Sequence, residues 1–163
     1  MDRLWLLTAL LLLLGVANGT PVFAKKLLGN AFAYPLDAGL RFFDGRPLFG
    51  PSKTVRGLLL ALLLTTLAAP LIGLHWAIGL TVGACAMLGD LVSSFSKRRL
   101  GRASSSQALG LDQIPESLFP LLAVQRPLGL QAAEIALLVG AFLVLELLLS
   151  RLLYRFHIRE RPY

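Results

Sequence analysis

Residues 89–99 read GDLVSSFSKRR: an acid near the end of a long apolar run, then three cations seven to nine residues later. A carboxylate so close to a bilayer interior is costly unless it has a partner or a chemical task. Lys97 is a poor local partner, because seven helical residues separate the two by about 10 Å. A second acid, Asp112, stands in LDQIPESLFP (111–120), just before Pro115 at the expected start of the next helix. An isolated Asp there reads most simply as an N-cap. Asp90 at the end of one helix and Asp112 at the start of the next, joined by a short loop, read differently. Two carboxylates at one membrane face, with cations beside each, suit a divalent ion that carries phosphates. Mg²⁺ is usually held by one or two carboxylates plus phosphate oxygens.

A third cluster lies in the first long loop, YPLDAGLRFFDGRPLFGPSKTVRG (34–57). Gly39, Gly45, Gly50 and Gly57 allow tight turns and close ligand approach. GPSKT resembles the end of a P-loop only superficially, since Pro51 removes a backbone donor and no Gly directly precedes Lys53. Lys53 and Arg56 are either phosphate-binding cations or positive-inside anchors, and position alone leaves both readings open. No His/Cys cluster suggests zinc, and neither His75 nor His157 has a partner for a Ser-His-Asp hydrolase. Cys85 lies in an apolar block and reads as a packing residue.

The elements that must position these groups are membrane helices. Of 163 residues, 56% are hydrophobic, with a mean hydropathy of +0.71. The apolar residues come in blocks rather than stripes, so the chain reads as an all-α integral membrane protein forming one domain, 1–163. Five apolar segments are expected: about Leu4 to Ala24, Val55 to Ala69 closed by Pro70, Leu74 to Ser94, Ile114 to Val124, and Leu128 to about Leu153. The second and fourth fall below the ~20 residues of a straight span and must be broken, tilted or shielded. The first segment could pass for a signal peptide, but its weakly basic start carrying Asp2 favours an uncleaved helix. Gly79-x-x-x-Gly83 allows close helix packing. Glu146, inside the fifth segment, reads as structural, and Glu134, nearer the outer end, as less constrained.

The net charge of +7 would suggest nucleic acid in a soluble protein, but here it reads as orientation. Fourteen of 16 Lys and Arg lie in loops 25–56 and 95–113 or in the tail with Arg151, Arg155, Arg159 and Arg161. This predicts an outside N-terminus, both long loops in the cytoplasm forming a polar site, and Trp5 and Trp76 at the outer interface. No nucleic-acid partner is expected, and homo-oligomerisation is left open.

NGTP (18–21), PLDAGLRFFDGRPLFGPSKTVRG (35–57), GDLVSSFSKRRLG (89–101) and LDQIPESLFP (111–120) together resemble the CDP-archaeol synthase family, in order and spacing over most of the chain. That family is related to the phosphatidate cytidylyltransferases, whose HGG-type signature followed by Asp-Arg is absent here. The resemblance implies Mg²⁺-dependent transfer of CMP from CTP to an isoprenoid ether-lipid phosphate, with release of pyrophosphate. It implies that Asp90 and Asp112 bind metal, and that Lys97, Arg98 and Arg99 bind phosphates. Asp37, Lys53 and Arg56 would complete the nucleotide site, while Asn18 and Pro21 would bend the first helix. The acceptor could equally be another lipid phosphate. Two other readings compete: a CTP-dependent polyprenol kinase, which would need a base for a neutral hydroxyl, and a non-enzymatic transporter or scaffold, which would tolerate loss of Asp90.

Overall fold

The computed structural model describes residues 2–104, 106 and 108–155; His157, Arg159 and Arg161 of the basic tail lie outside them. Six helices follow in order: α1 (Arg3–Leu28), α2 (Val55–Leu71), α3 (Trp76–Arg99), α4 (Gln113–Ala123), α5 (Gln125–Leu128) and α6 (Ala132–Arg155). No strand occurs among the described residues; two isolated bridges, Pro35–Thr54 and Arg41–Pro47, pin the first long loop.

The architecture is all-helical, as expected, but among the described residues only three helices are long and apolar enough to cross a membrane: Arg3–Leu28, Trp76–Arg99 and Ala132–Leu152. Each expected segment contains a helix. With 17 and 11 residues, however, α2 and α4 reach only about 26 and 16 Å, against a hydrocarbon core of ~30 Å. Two boundaries also move. The third helix runs past Ser94 through Lys97, Arg98 and Arg99, because cations suit a helix C-terminus and the first backbone break is Gly101 at φ +72°. The last helix begins at Ala132, because Gly129 ends α5 in the left-handed region at φ +60°.

Leu10, Leu13, Leu14 and Ala17 of α1 repeat at helical spacing and are fully buried, which places α1 inside the bundle. Leu59, Leu63 and Leu67 of α2 are more than half exposed, at the same spacing, on an outward face suited to lipid. The expected Gly79–Gly83 contact is present. A methyl on Gly79 would lie 2.3 Å from the Thr65 carbonyl, and one on Gly83 would lie 2.2 Å from Thr65 Oγ1. These glycines let α2 and α3 touch backbone to backbone.

One end of the bundle gathers Trp5, whose indole donates to the Ile72 carbonyl at 3.1 Å, and Arg3, which donates to the Gly129 carbonyl at 2.8 Å and pairs with Glu134. Glu134 also accepts from the Gln131 amide at 2.8 Å, so it is tied at this end rather than loosely held. The long loop and the C-terminal end of α3 lie at the other end.

Candidate active site

The first loop is built around Asp37. Its Oδ1 accepts the Gly39 amide at 3.1 Å, and its Oδ2 accepts the Phe49 and Gly50 amides at 3.0 and 2.9 Å. Burial alone would raise this acid, but the backbone donors outweigh it and hold it below the ordinary carboxylate range. Gly39, Gly45 and Gly50, at φ +79°, +75° and +95°, make the reversals that close the loop. The Leu36 amide donates to the Lys53 carbonyl at 2.7 Å, and Thr54 caps α2 by accepting the Gly57 amide at 3.1 Å. Lys53 is thus fixed immediately before a helix start.

Lys53 Nζ reaches across to α3 and lies 2.5 and 2.6 Å from the two oxygens of Asp90. Burial disfavours the ammonium, but Asp90 first, then Glu116, outweigh it and hold Lys53 above its usual range. Lys97, too distant along the helix for Asp90, turns to Asp112 at 2.7 Å and donates to the Ser106 carbonyl at 2.9 Å. Asp112 does not cap α4 with its side chain; its Oδ2 accepts the Ala108 amide at 2.9 Å instead. Each of the two candidate metal ligands is therefore matched with one lysine.

Gly89 explains how the two halves meet. A methyl there would lie 2.3 Å from the Pro115 carbonyl oxygen and 2.7 Å from the Glu116 nitrogen. The backbones of α3 and α4 therefore touch at this point, which brings the Asp90 and Glu116 carboxyl groups together. Ser93, fully buried, donates to the Leu111 carbonyl at 2.6 Å, and Gln113 accepts the Gly110 amide at 2.9 Å, fixing the chain around Asp112. Glu116, Ser93 and Gln113 escape the sequence reading. Only Glu116 left a usable signal: four residues after Asp112, it shares that residue's helix face.

The remaining cations have protein partners. Arg98 is buried and donates to the Ala103 carbonyl at 2.6 Å. Arg99 lies 4.8 Å above the rings of both Phe42 and Phe95, pairs with Asp44 at 2.8 Å and donates to the Pro47 carbonyl at 2.6 Å. Arg56 donates to the Ala31 and Gly29 carbonyls after the end of α1. Ser52 and Ser104 meet at 3.1 Å, so the first loop rests on the second. Asp90, Asp112, Lys53 and Lys97 thus converge with Glu116, while Asp37, Arg56 and Arg99 shape the loop that delivers Lys53.

Among the described residues, no three His, Cys, Asp or Glu side chains converge into a metal cage. Two carboxylates together with phosphate oxygens are a donor set that suits Mg²⁺, and Asp90 and Asp112 are the two carboxylates that could contribute to one. His75 caps α3 at the far end, its Nδ1 accepting the Ala77 amide at 3.3 Å. Asn18, in α1 with Pro21, donates to the Leu14 carbonyl at 3.0 Å and faces a small space shared with Glu146 and Ser150.

The chain matches the family described as CarS-like, CDP-archaeol synthase, over residues 3–163. A CDP-archaeol synthase of Sulfurisphaera tokodaii is 36% identical over 154 residues, covering 91% of this chain and 89% of the relative. Those of Saccharolobus solfataricus and Hyperthermus butylicus are each 39% identical over 104 residues, about three-fifths of either chain. A solved structure described as an intramembrane enzyme for archaeal membrane lipids biosynthesis superposes with a TM-score of 0.74 at 31% identity, covering 87% of this chain and 90% of that one. With its apolar helices and its paired lysine–carboxylate cluster, the chain belongs to the CarS-like CDP-archaeol synthase family of integral membrane enzymes.

Proposed function

We propose that this enzyme transfers CMP from CTP to an archaeol-type isoprenoid glycerol ether phosphate. An oxygen of the lipid phosphate attacks the α-phosphorus of CTP. The bond from that phosphorus to the β-phosphate oxygen breaks, and pyrophosphate leaves with the bonding pair. The attacking oxygen is already anionic at neutral pH, so no general base is required. The main obstacle is bringing two anions together, and charge placement is what the cluster offers.

The observation that carries this reading is the pairing of Lys53 with Asp90 and of Lys97 with Asp112. Both ammonium groups are held in place by carboxylates and can exchange them for phosphate oxygens. Arg98, buried beside Gly50, adds a third cation next to the same cluster. Arg99, Arg56 and Asp37 position the loop. Mg²⁺ held by Asp90 and Asp112 would neutralise the triphosphate and polarise the α-phosphate. The clustering of cations at one end supports an outside N-terminus, a cytoplasmic site and a single domain spanning 1–163.

Incubating the purified protein with α-labelled CTP, Mg²⁺ and a panel of lipid phosphates tests the reading. CDP-lipid and pyrophosphate are expected, with Asp90→Asn and Asp112→Asn both inactive but folded. A phosphorylated lipid with CDP would point to a kinase, and full activity in both variants would remove the site assignment.

A further inference from the structure

A groove of about 630 Å³ runs along the outside of the bundle between α1 and α6. Leu11 forms one wall; Leu137, Val144 and Leu148, all more than half exposed, form the other. Its floor is cut by small residues. A methyl on Gly140 would meet no heavy atom within 4 Å, and the same holds for Gly15 farther along. These glycines differ from Gly79, Gly83 and Gly89: they leave open space instead of admitting a neighbouring helix. At Leu145 the groove passes into a tighter space of about 50 Å³ bordered by Asn18, Glu146 and Ser150. Glu146 stands on α6, which packs against α4, the helix that carries Glu116, so the polar end of the groove lies on the side of the bundle next to the candidate site.

We infer that this groove seats one hydrocarbon chain of the lipid phosphate, with the chain's polar end at Asn18, Glu146 and Ser150. The inference rests on the proposed cytidylyltransfer. From Ala136 to Ser150 the helix rises about 21 Å, more than half of a ~30 Å hydrocarbon core, which is a span suited to one chain running inward from headgroup level. The tight space is too small for a phosphate, and the Glu146 carboxylate would repel one. The chain therefore occupies the groove while the phosphate lies beyond, among Lys53, Lys97 and Arg98. A second copy of the protein is the competing occupant, since small residues four apart on α6 also suit helix pairing. A packed helix would cover the groove without using its continuity with the polar cluster.

Gly140→Leu projects into the groove, and it replaces a helical glycine where an added Cβ meets no heavy atom within 4 Å. The expected result is a rise of about tenfold or more in KM for a long-chain lipid phosphate. KM for CTP and turnover of a short-chain analogue should stay at the parent values. A lipid phosphate with a photoreactive group in its chain should crosslink within 136–150, and unlabelled lipid phosphate should compete while phosphatidylcholine should not. Unchanged KM for both lipids with crosslinks elsewhere would overturn the inference. So would crosslinks between copies together with a Gly140→Leu shift in oligomeric state. If the parent protein moves no CMP to any lipid phosphate, the proposed function fails, and a competed crosslink at 136–150 would still establish the groove.

Discussion

Replacing Gly89 by Ala should separate catalysis from stability more cleanly than any change to a charged residue. The added methyl would lie 2.3 Å from the Pro115 carbonyl oxygen, 2.5 Å from its carbon and 2.7 Å from the Glu116 nitrogen. Ordinary contact begins at 3.4 Å, so α3 and α4 must part by roughly 1 Å. All three obstructing atoms are backbone, and no side-chain rotation relieves the clash. Overpacking of this kind costs about 1–3 kcal/mol, while removing a helical glycine returns up to about 1 kcal/mol. The net loss of stability should be modest, about 0–2 kcal/mol by those two figures. The effect on rate should be larger, because Asp90 and Glu116 adjoin the contact on either helix. A 1 Å misplacement of reacting groups costs on the order of 100-fold. Melting in detergent and CMP transfer at saturating CTP measure the two effects on one preparation. Gly140→Ala, where a methyl meets no heavy atom within 4 Å, is the matched control for packing and should melt as the parent does. Near-parental transfer in Gly89→Ala, with the fold retained, would refute the claim that this crossing positions the site.

Lys53→Met should remove transfer and destabilise by roughly 1–3 kcal/mol, between the values for exposed and buried pairs. Adding Asp90→Asn should restore part of that stability but none of the activity, which denaturation and product analysis would show. Arg99→Lys should raise KM for CTP more than it lowers kcat, and should speed protease cleavage of the first loop, because a lysine cannot span both rings, Asp44 and the Pro47 carbonyl at once. Asp37 is held below the ordinary carboxylate range, so its contribution is complete above the unfolded value of ~3.9 and disappears as pH falls through the folded value. Asp37→Asn should accordingly destabilise the loop at neutral pH, and its gap from the parent protein should close on acidification, as followed by protease protection across a pH series.

How much of this was legible in the sequence depended on the range of each interaction. Asp90 declared itself because a carboxylate in an apolar block is rare, and Gly79 and Gly83 because their spacing is local. Lys97 could be excluded as the partner of Asp90 from helix geometry alone. That Lys53 takes its place could not be read, because the pair is 37 residues apart and depends on how the first loop folds over α3. Arg99 and Arg56 resembled phosphate ligands by type. Their aromatic and carbonyl partners come from the folded loop, which composition does not reveal. Glu116 was overlooked within a Pro-rich apolar segment, although its spacing from Asp112 marked it. The short lengths of α2 and α4 were visible, but not that α4 begins beside Gly89 instead of at the end of α3.

That starting level has a mechanical consequence. The contact at Gly89 lies ten residues, or about 15 Å, back from the end of α3. Asp90, one residue on, therefore lies about 12 Å back along α3 from Arg98. Drawing a lipid outward to that level exposes hydrocarbon to water at about 0.8 kcal/mol per methylene, whereas a nucleotide moving inward past Arg98 exposes none. On the proposed function, the water-soluble substrate is the one that would travel vertically, and the greasy one would only have to slide sideways.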